Sequence, residues 1–398
     1  MRVMKFILLM LLFSVYAGAA DKPARTVATK TLELPDYKSY SLFNSNYRPE
    51  YRMYFTANDE IMLRFFQRNT PPVSTDKSTP ETSVMSFVVL LLSKEDGKLI
   101  NKKVWPIAGD PSWEQRQKYA IYPLPDGGYT ALLDGHLQVL DTSFNIIHER
   151  LLDRLPQRYR YSISVPLHGK YFILSSGVEY EIIDYNTFKT VKRLNTSIPI
   201  NDIWEDKLLL RFTETAESVS YWSTEDDNIK YLFEKTIGGS LSNYYFKNTR
   251  LRGGKYLYNG SIMILSSPEF SSEVLSSIKR FMTQRQDYWF TMENGNTSNP
   301  VFITYIFTPG EGIGGIEPAR RSPIVVIGAS KLRGWDLGYA AWLEVYDIKN
   351  QRKLLQTKTY NDAIDYVLSA DGRTLVVFTE KKGKLEFYNV PPPRSKKK

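Results

Sequence analysis

Between residues 45 and 390 one local pattern returns again and again. A short run of β-branched, aromatic and aliphatic residues meets a turn of Asp, Asn or Gly, and a second such run follows. Long stretches of helical period are scarce, so the pattern predicts an all-β chain. The clearest unit is the last, "NDAIDYVLSADGRTLVVFTEKKGKLEFYNV" (361–390). It parses as three strands joined by turns at "ADGR" and "KKGK", where Gly372 and Gly383 take a positive φ at little cost. Its middle strand, "TLVVFT", is almost wholly apolar, which predicts burial on both faces between stacked sheets.

Similar units precede it, with turns at Asp96–Gly97, Asp126–Gly128, Asp134–Gly135, Asp141–Asn145, Asp184–Thr187 and Asp347–Asn350. The period is roughly forty to fifty residues, the length of a four-stranded propeller blade. The units run over 45–107, 117–155, 159–197, 200–238, 244–282, 285–360 and 361–390. The expectation is a seven-bladed β-propeller, with six or eight blades as the alternatives. The last unit has only three strands before Pro391–Pro393, whereas "RTVATKTLEL" (25–34) is a strand with no unit of its own. Pairing the two would close the ring and remove its open edges. In the fifth unit "SSEVLSSIKRFM" reads either as a short amphipathic helix or as an outer hairpin; the repeat favours the hairpin.

The "SADGRTL" turn, with Ser369, Asp371, Gly372, Arg373 and Leu375, resembles the S-P-D-G-R-x-L turn of WD40-like and YVTN-type propellers, with Ala370 in place of the proline. No strand closes on a Trp-Asp pair, so the likeness is to the looser YVTN or quinoprotein-amine-dehydrogenase-like group. The order of parts, with "YRPEYRMYF", "GDPSW" and a proline-led tail, is similar to that of exported bacterial propeller proteins. The resemblance implies a fold and an exported location, and no reaction.

The ends carry separate signals. Arg2 and Lys5, the apolar "FILLMLLFSVYAG" and the small residues Ala17–Ala20 form the three regions of a cleaved signal peptide (1–20). The alternative is a membrane anchor, for which the apolar run is short. The expected order is signal peptide 1–20, one propeller domain 21–390 and a basic tail 391–398, in a periplasmic or secreted protein with no transmembrane segment after cleavage. The chain has no cysteine, so its stability must come from a core. Of its net charge of +9, the two leader cations and the four of the tail account for six, and about three remain on the body. That is too little for the basic stripe of a nucleic-acid binder.

Gly310, Gly312 and Gly315 spell G-x-G-x-x-G, but Pro318 and Pro323 follow where a dinucleotide fold needs a helix. The segment is expected to be a loop. The three histidines, His136, His148 and His168, lack metal-ligand spacing, and "TEDDNIK" lacks the calcium-loop pattern. No nucleophile elbow is present. No cofactor and no catalytic residue is assigned. Two insertions, Thr308–Pro323 and Lys331–Tyr339, gather Arg320, Arg321, Lys331, Arg333, Trp335 and Asp336. Cations beside an aromatic suit an acidic or carbohydrate ligand. The expected function is that of a monomeric, non-enzymatic envelope scaffold or binding module for a protein partner or such a ligand. The alternative is an enzyme or cofactor protein with its site at the central channel.

Overall fold

The computed structural model describes residues 26–34, 52–69, 84–107, 119–124 and 127–152, the strands between 161 and 307, and 311–392 except 333–338 and short turn segments. The leader, the 70–83 insertion, the 269–284 segment, residues 224–229 of the "TEDDNIK" tip and the basic tail from 393 lie outside the described residues.

After β1 (Lys30–Glu33) come four strands of a first sheet: β2 (Arg52–Phe55), β3 (Ile61–Asn69), β4 (Val84–Leu92) and β5 (Leu99–Ile107). The second is β6 (Tyr119–Pro123), β7 (Tyr129–Leu133), β8 (His136–Leu140) and β9 (Ile146–Leu151). The third is β10 (Tyr161–Ser164), β11 (Tyr171–Ser176), β12 (Glu179–Asp184) and β13 (Thr190–Asn195). The fourth is β14 (Ile200–Trp204), β15 (Lys207–Leu210), β16 (Ser218–Ser223) and β17 (Lys230–Thr236). The fifth is β18 (Thr249–Tyr256), β19 (Ile262–Pro268), β20 (Arg285–Glu293) and β21 (Asn296–Phe307). The sixth is β22 (Glu311–Pro318), β23 (Ile324–Leu332), β24 (Tyr339–Asp347) and β25 (Arg352–Gln356). The last is β26 (Ile364–Leu368), β27 (Thr374–Thr379) and β28 (Lys384–Asn389), and its fourth strand is β1.

Six sheets are antiparallel meanders in chain order; in the last, β26 to β28 meander and β1 pairs antiparallel with β28, Leu32 opposite Leu385. First strands of successive sheets lie side by side: β2 beside β6 and β26, β22 beside β18 and β26, β14 beside β18.

Two readings of the sequence change. The strands at 285–307 belong to the fifth sheet, so the sixth begins at Glu311 rather than at 285. The glycine-rich segment is no loop: it is strand β22, paired with β23 through a register shift at Ile313–Gly315. Small residues permit that bulge, and no helix follows for a pyrophosphate to sit on.

The outer hairpins share one device. In each of the six sheets whose third and fourth strands form a hairpin, that pair carries a bulge, as at Leu91/Leu92, Val139/Leu140 and Val345/Tyr346. The β28–β1 pair, which no hairpin joins, runs in uninterrupted register. A side chain then caps the turn in several of them: Asp141 accepts from the amides of Ser143 and Asn145, Asp184 from Asn186 and Thr187, and Asp347 from Asn350.

The core lies between sheets. One cluster joins the first and last sheets through Phe55, Leu63, Phe65, Val376, Phe378 and Leu385, with Leu32 of β1 against it. Others join the sixth to the last, the first to the second and the second to the third. Strand β27 is buried on both faces from Leu375 to Thr379, which accounts for its apolar sequence. Trp105 packs at such a seam, against Phe87 and edge-on to Phe144.

Polar links add to these seams. The carboxylate of Glu386 on β28 is reached by the Lys358 ammonium at 2.5 Å and by the Tyr360 and Tyr388 hydroxyls at 2.9 and 3.0 Å. Glu181 on β12 receives Arg150, from the sheet before it, at 2.9 Å. In both, a cation on or just after the fourth strand of one sheet neutralises a carboxylate on the third strand of the next.

A candidate binding recess where three turns meet

The turns after β22, β26 and β2 enclose a recess of about 90 Å3. Each is built from local chemistry. After β26, the Ser369 hydroxyl accepts from the amides of Arg373 and Thr374, while the Gly372 amide bonds to the Ser369 carbonyl. Asp371 accepts from Ser369 Oγ at 2.6 Å and from the Arg373 amide. Partial burial raises the Asp371 pKa, but these hydrogen bonds and nearby cations outweigh it and hold the carboxyl below its ordinary value. After β2, the Thr56 amide meets the Glu60 carbonyl, and the Glu60 amide returns to Thr56 Oγ1. After β22, the Ala319 amide bonds to Ile324.

The turns are also tied to one another. The Arg321 amide donates to the Ala370 carbonyl at 2.8 Å, which fixes the β22–β23 turn against the "SADGR" turn. Gly372 has a φ of +74°, and a Cβ there would stand 2.6 Å from Ser322 Oγ and 2.7 Å from Ile324 Cβ. Only glycine allows both the left-handed backbone and this approach.

Phe55, Pro318, Val367 and Leu368 give the recess apolar walls; Glu317, Arg320 and Arg321 supply its charges. Arg320 is half-buried and Arg321 exposed. Burial lowers the Arg320 pKa; Glu317 opposes that and Arg321 reinforces it. Arg320 forms no hydrogen bond or ion pair with a described residue.

Beneath the recess, β26 is stitched to β2. The Met53 amide donates to Asp365 Oδ2 at 2.7 Å. Burial pushes the Asp365 carboxyl up to about 6, against the pull of Arg52 and of the Met53 and Tyr366 amides. Tyr54 meets Tyr122 edge-on at 5.5 Å, and the buried Arg64 guanidinium stacks over both rings, 4.9 Å from Tyr122. Among the described residues no group of three or more His, Asp or Glu converges as metal ligands would.

Of the residues singled out from sequence, Arg320 and Arg321 lie in this recess. Lys331 does not join them. It stands near the far end of β23, seven residues beyond Ile324, or about 23 Å along the strand. Arg333, Trp335 and Asp336 lie outside the described residues. The sequence reading missed the walls from β2 and β26, because "SADGR" served there only as a marker of fold. Its one usable signal was the need for a first strand beside a last.

No protein-family model matches the chain, and no curated protein matches it. Solved structures do. The Pan2 WD40 domain of Neurospora crassa is similar at 12% identity and a TM-score of 0.50, over 94% of this chain and 99% of that one. Chaetomium thermophilum Raptor is similar at 8% identity and a TM-score of 0.54, over 93% of this chain and 29% of that one. Kluyveromyces lactis Hsv2p aligns at 12% identity over 82% of this chain and 89% of its own, with a TM-score of 0.45. With its meandering four-stranded sheets, the likeness to the Pan2 WD40 domain identifies the fold as a β-propeller of the WD40-like kind.

Proposed function

We propose that the chain is an exported, non-enzymatic propeller of seven blades, closed by its N-terminal strand, that serves in the cell envelope as a scaffold or binding module. The pairing of β1 with β28 and the side-by-side first strands support the closed ring. The leader sequence supports export. The recess carries the binding reading: three turns from three sheets, two of them tied by the Arg321–Ala370 backbone bond, present Arg320 and Arg321 at its rim. Rigid blades displaying turns at a common edge make a platform on which a partner's contacts are set in advance, so little ordering entropy is lost on binding.

Crosslinking of the tagged protein in its native envelope, with mass spectrometry of captured species, tests this. The expected result is one reproducible, stoichiometric partner that is lost when Arg320 and Arg321 are both replaced by Ala. A clean blank with the wild-type protein would contradict the scaffold reading.

A further inference from the structure

The chemistry of the recess names its ligand more narrowly, given that the binding reading above holds. A guanidinium stays charged at any ordinary pH, and taking it out of water without a partner is costly. Arg320 is half-buried, its pKa is depressed by burial, and among the described residues its attractive charge is Glu317, which does not restore it. Such a group gains from an anion supplied from outside. The cavity, about 90 Å3, is roomy enough for a carboxylate head and the first carbons behind it. Its charged lining is Arg320, Arg321 and Glu317, a net single positive charge. That balance suits a monoanion; Glu317 would repel the second charge of a phosphate. The walls of Phe55, Val367 and Leu368 suit the aliphatic stem behind an acidic head. Arg321 is exposed at the mouth, and its amide bond to Ala370 fixes where it stands.

We propose that this recess receives one carboxylate of an acidic peptide, paired to the Arg320 guanidinium, with Arg321 drawing the ligand to the mouth. The carboxylate is a Glu or Asp side chain or a chain terminus; both present the same planar pair of oxygens to the arginine fork.

The test uses the full chain and three labelled decapeptides, read by fluorescence anisotropy. One carries Glu residues with both ends blocked, one has Gln in their place, and one has no acidic side chain but a free C-terminal carboxylate. The Glu peptide, the free-carboxylate peptide or both are expected to bind, which tells the two sources apart, with the Gln peptide at least tenfold weaker. Arg320→Gln should weaken binding tenfold or more, Arg320→Lys less, and Arg321→Ala a few-fold with a reduced salt dependence. Melting curves confirm that each variant folds. Binding of the Gln peptide as tight as that of the better carboxylate-bearing peptide would overturn the proposal. So would unchanged affinity in Arg320→Gln, or stronger displacement by inorganic phosphate than by acetate. If the envelope partner is still captured by Arg320→Gln while no peptide binds, the carboxylate site falls and the scaffold stands. If neither a partner nor a peptide is found, both fall.

Discussion

Single residues decide how closely the turns can meet. Gly372 sits at a positive φ with side-chain atoms of the neighbouring sheet 2.6–2.7 Å from where a Cβ would be. Gly372→Ala should therefore cost at least about 2 kcal/mol, from left-handed backbone strain plus the displacement of Ser322 and Ile324. Denaturant unfolding would measure it. Asp365 has the opposite kind of cost. Its folded pKa, about 6, lies above the ordinary carboxylate value of 3.8. Between those two values the folded state holds more protons than the unfolded one, so this residue's contribution to stability falls as pH rises through that window. Asp365→Asn keeps an oxygen for the Met53 amide and removes the titration. It should flatten the decline in melting temperature between pH 4 and pH 6 and leave the variant the more stable protein at pH 7. A variant that parallels the wild type at every pH would contradict this. Glu386 has the reverse sign. Burial raises its pKa, but Lys358, Tyr360 and Tyr388 more than offset that, so its stabilisation is present above the ordinary glutamate range and is lost as pH falls.

At the scale of elements, β1 is the strand with most at stake. It is short and distant in sequence from β28, and it covers the edge that the last sheet would otherwise expose. Leu32 packs against the cluster shared by the first and last sheets and touches the site where a Cβ on Gly97 would lie. Leu32→Asp should destabilise by about 3 kcal/mol, since it loses an apolar contact and places a charge at the seam. A melting temperature unchanged by this substitution would argue against the pairing. Hairpins were the most legible part of the sequence, because their signals are local: Gly372 and Gly383, read as positive-φ turn residues, have φ of 74° and 57°. The strand β27, apolar throughout, also announced its two-sided burial. What local signals could not show was which hairpin belonged to which sheet. The strands at 285–307 form a long pair whose partner sheet is decided by contacts of β19 with β20, across the 269–284 segment. Glycines in β22 looked like a loop because small residues lower strand propensity, and pairing with β23 overrode that. The binding cluster was half legible for a similar reason. Arg320 and Lys331 are close in sequence, yet a full strand lies between them and carries them to opposite ends of the sheet.

For the whole molecule, the account depends on the last sheet being completed by the chain's own beginning. The recess lies among the turns of the sixth, last and first sheets, at the edge of the last sheet opposite β1. A chain without cysteine offers a clean way to examine that closure. Leu34 donates its amide to the Gly383 carbonyl, so the next pair inward, Glu33 and Lys384, is a non-hydrogen-bonded pair, the closer kind across an antiparallel ladder. Their side chains form an ion pair at 2.6 Å. The measurement is disulfide formation in the Glu33→Cys/Lys384→Cys double variant, purified and mildly oxidised, and read by non-reducing gel mobility and thiol count. A ring closed by its own strand predicts rapid, complete, intramolecular oxidation with a raised melting temperature, because the bond ties together distant parts of the unfolded chain. Persistent free thiols, or disulfides found only between copies, would mean that β1 does not complete the last sheet of its own chain, and the closed platform would have to be abandoned.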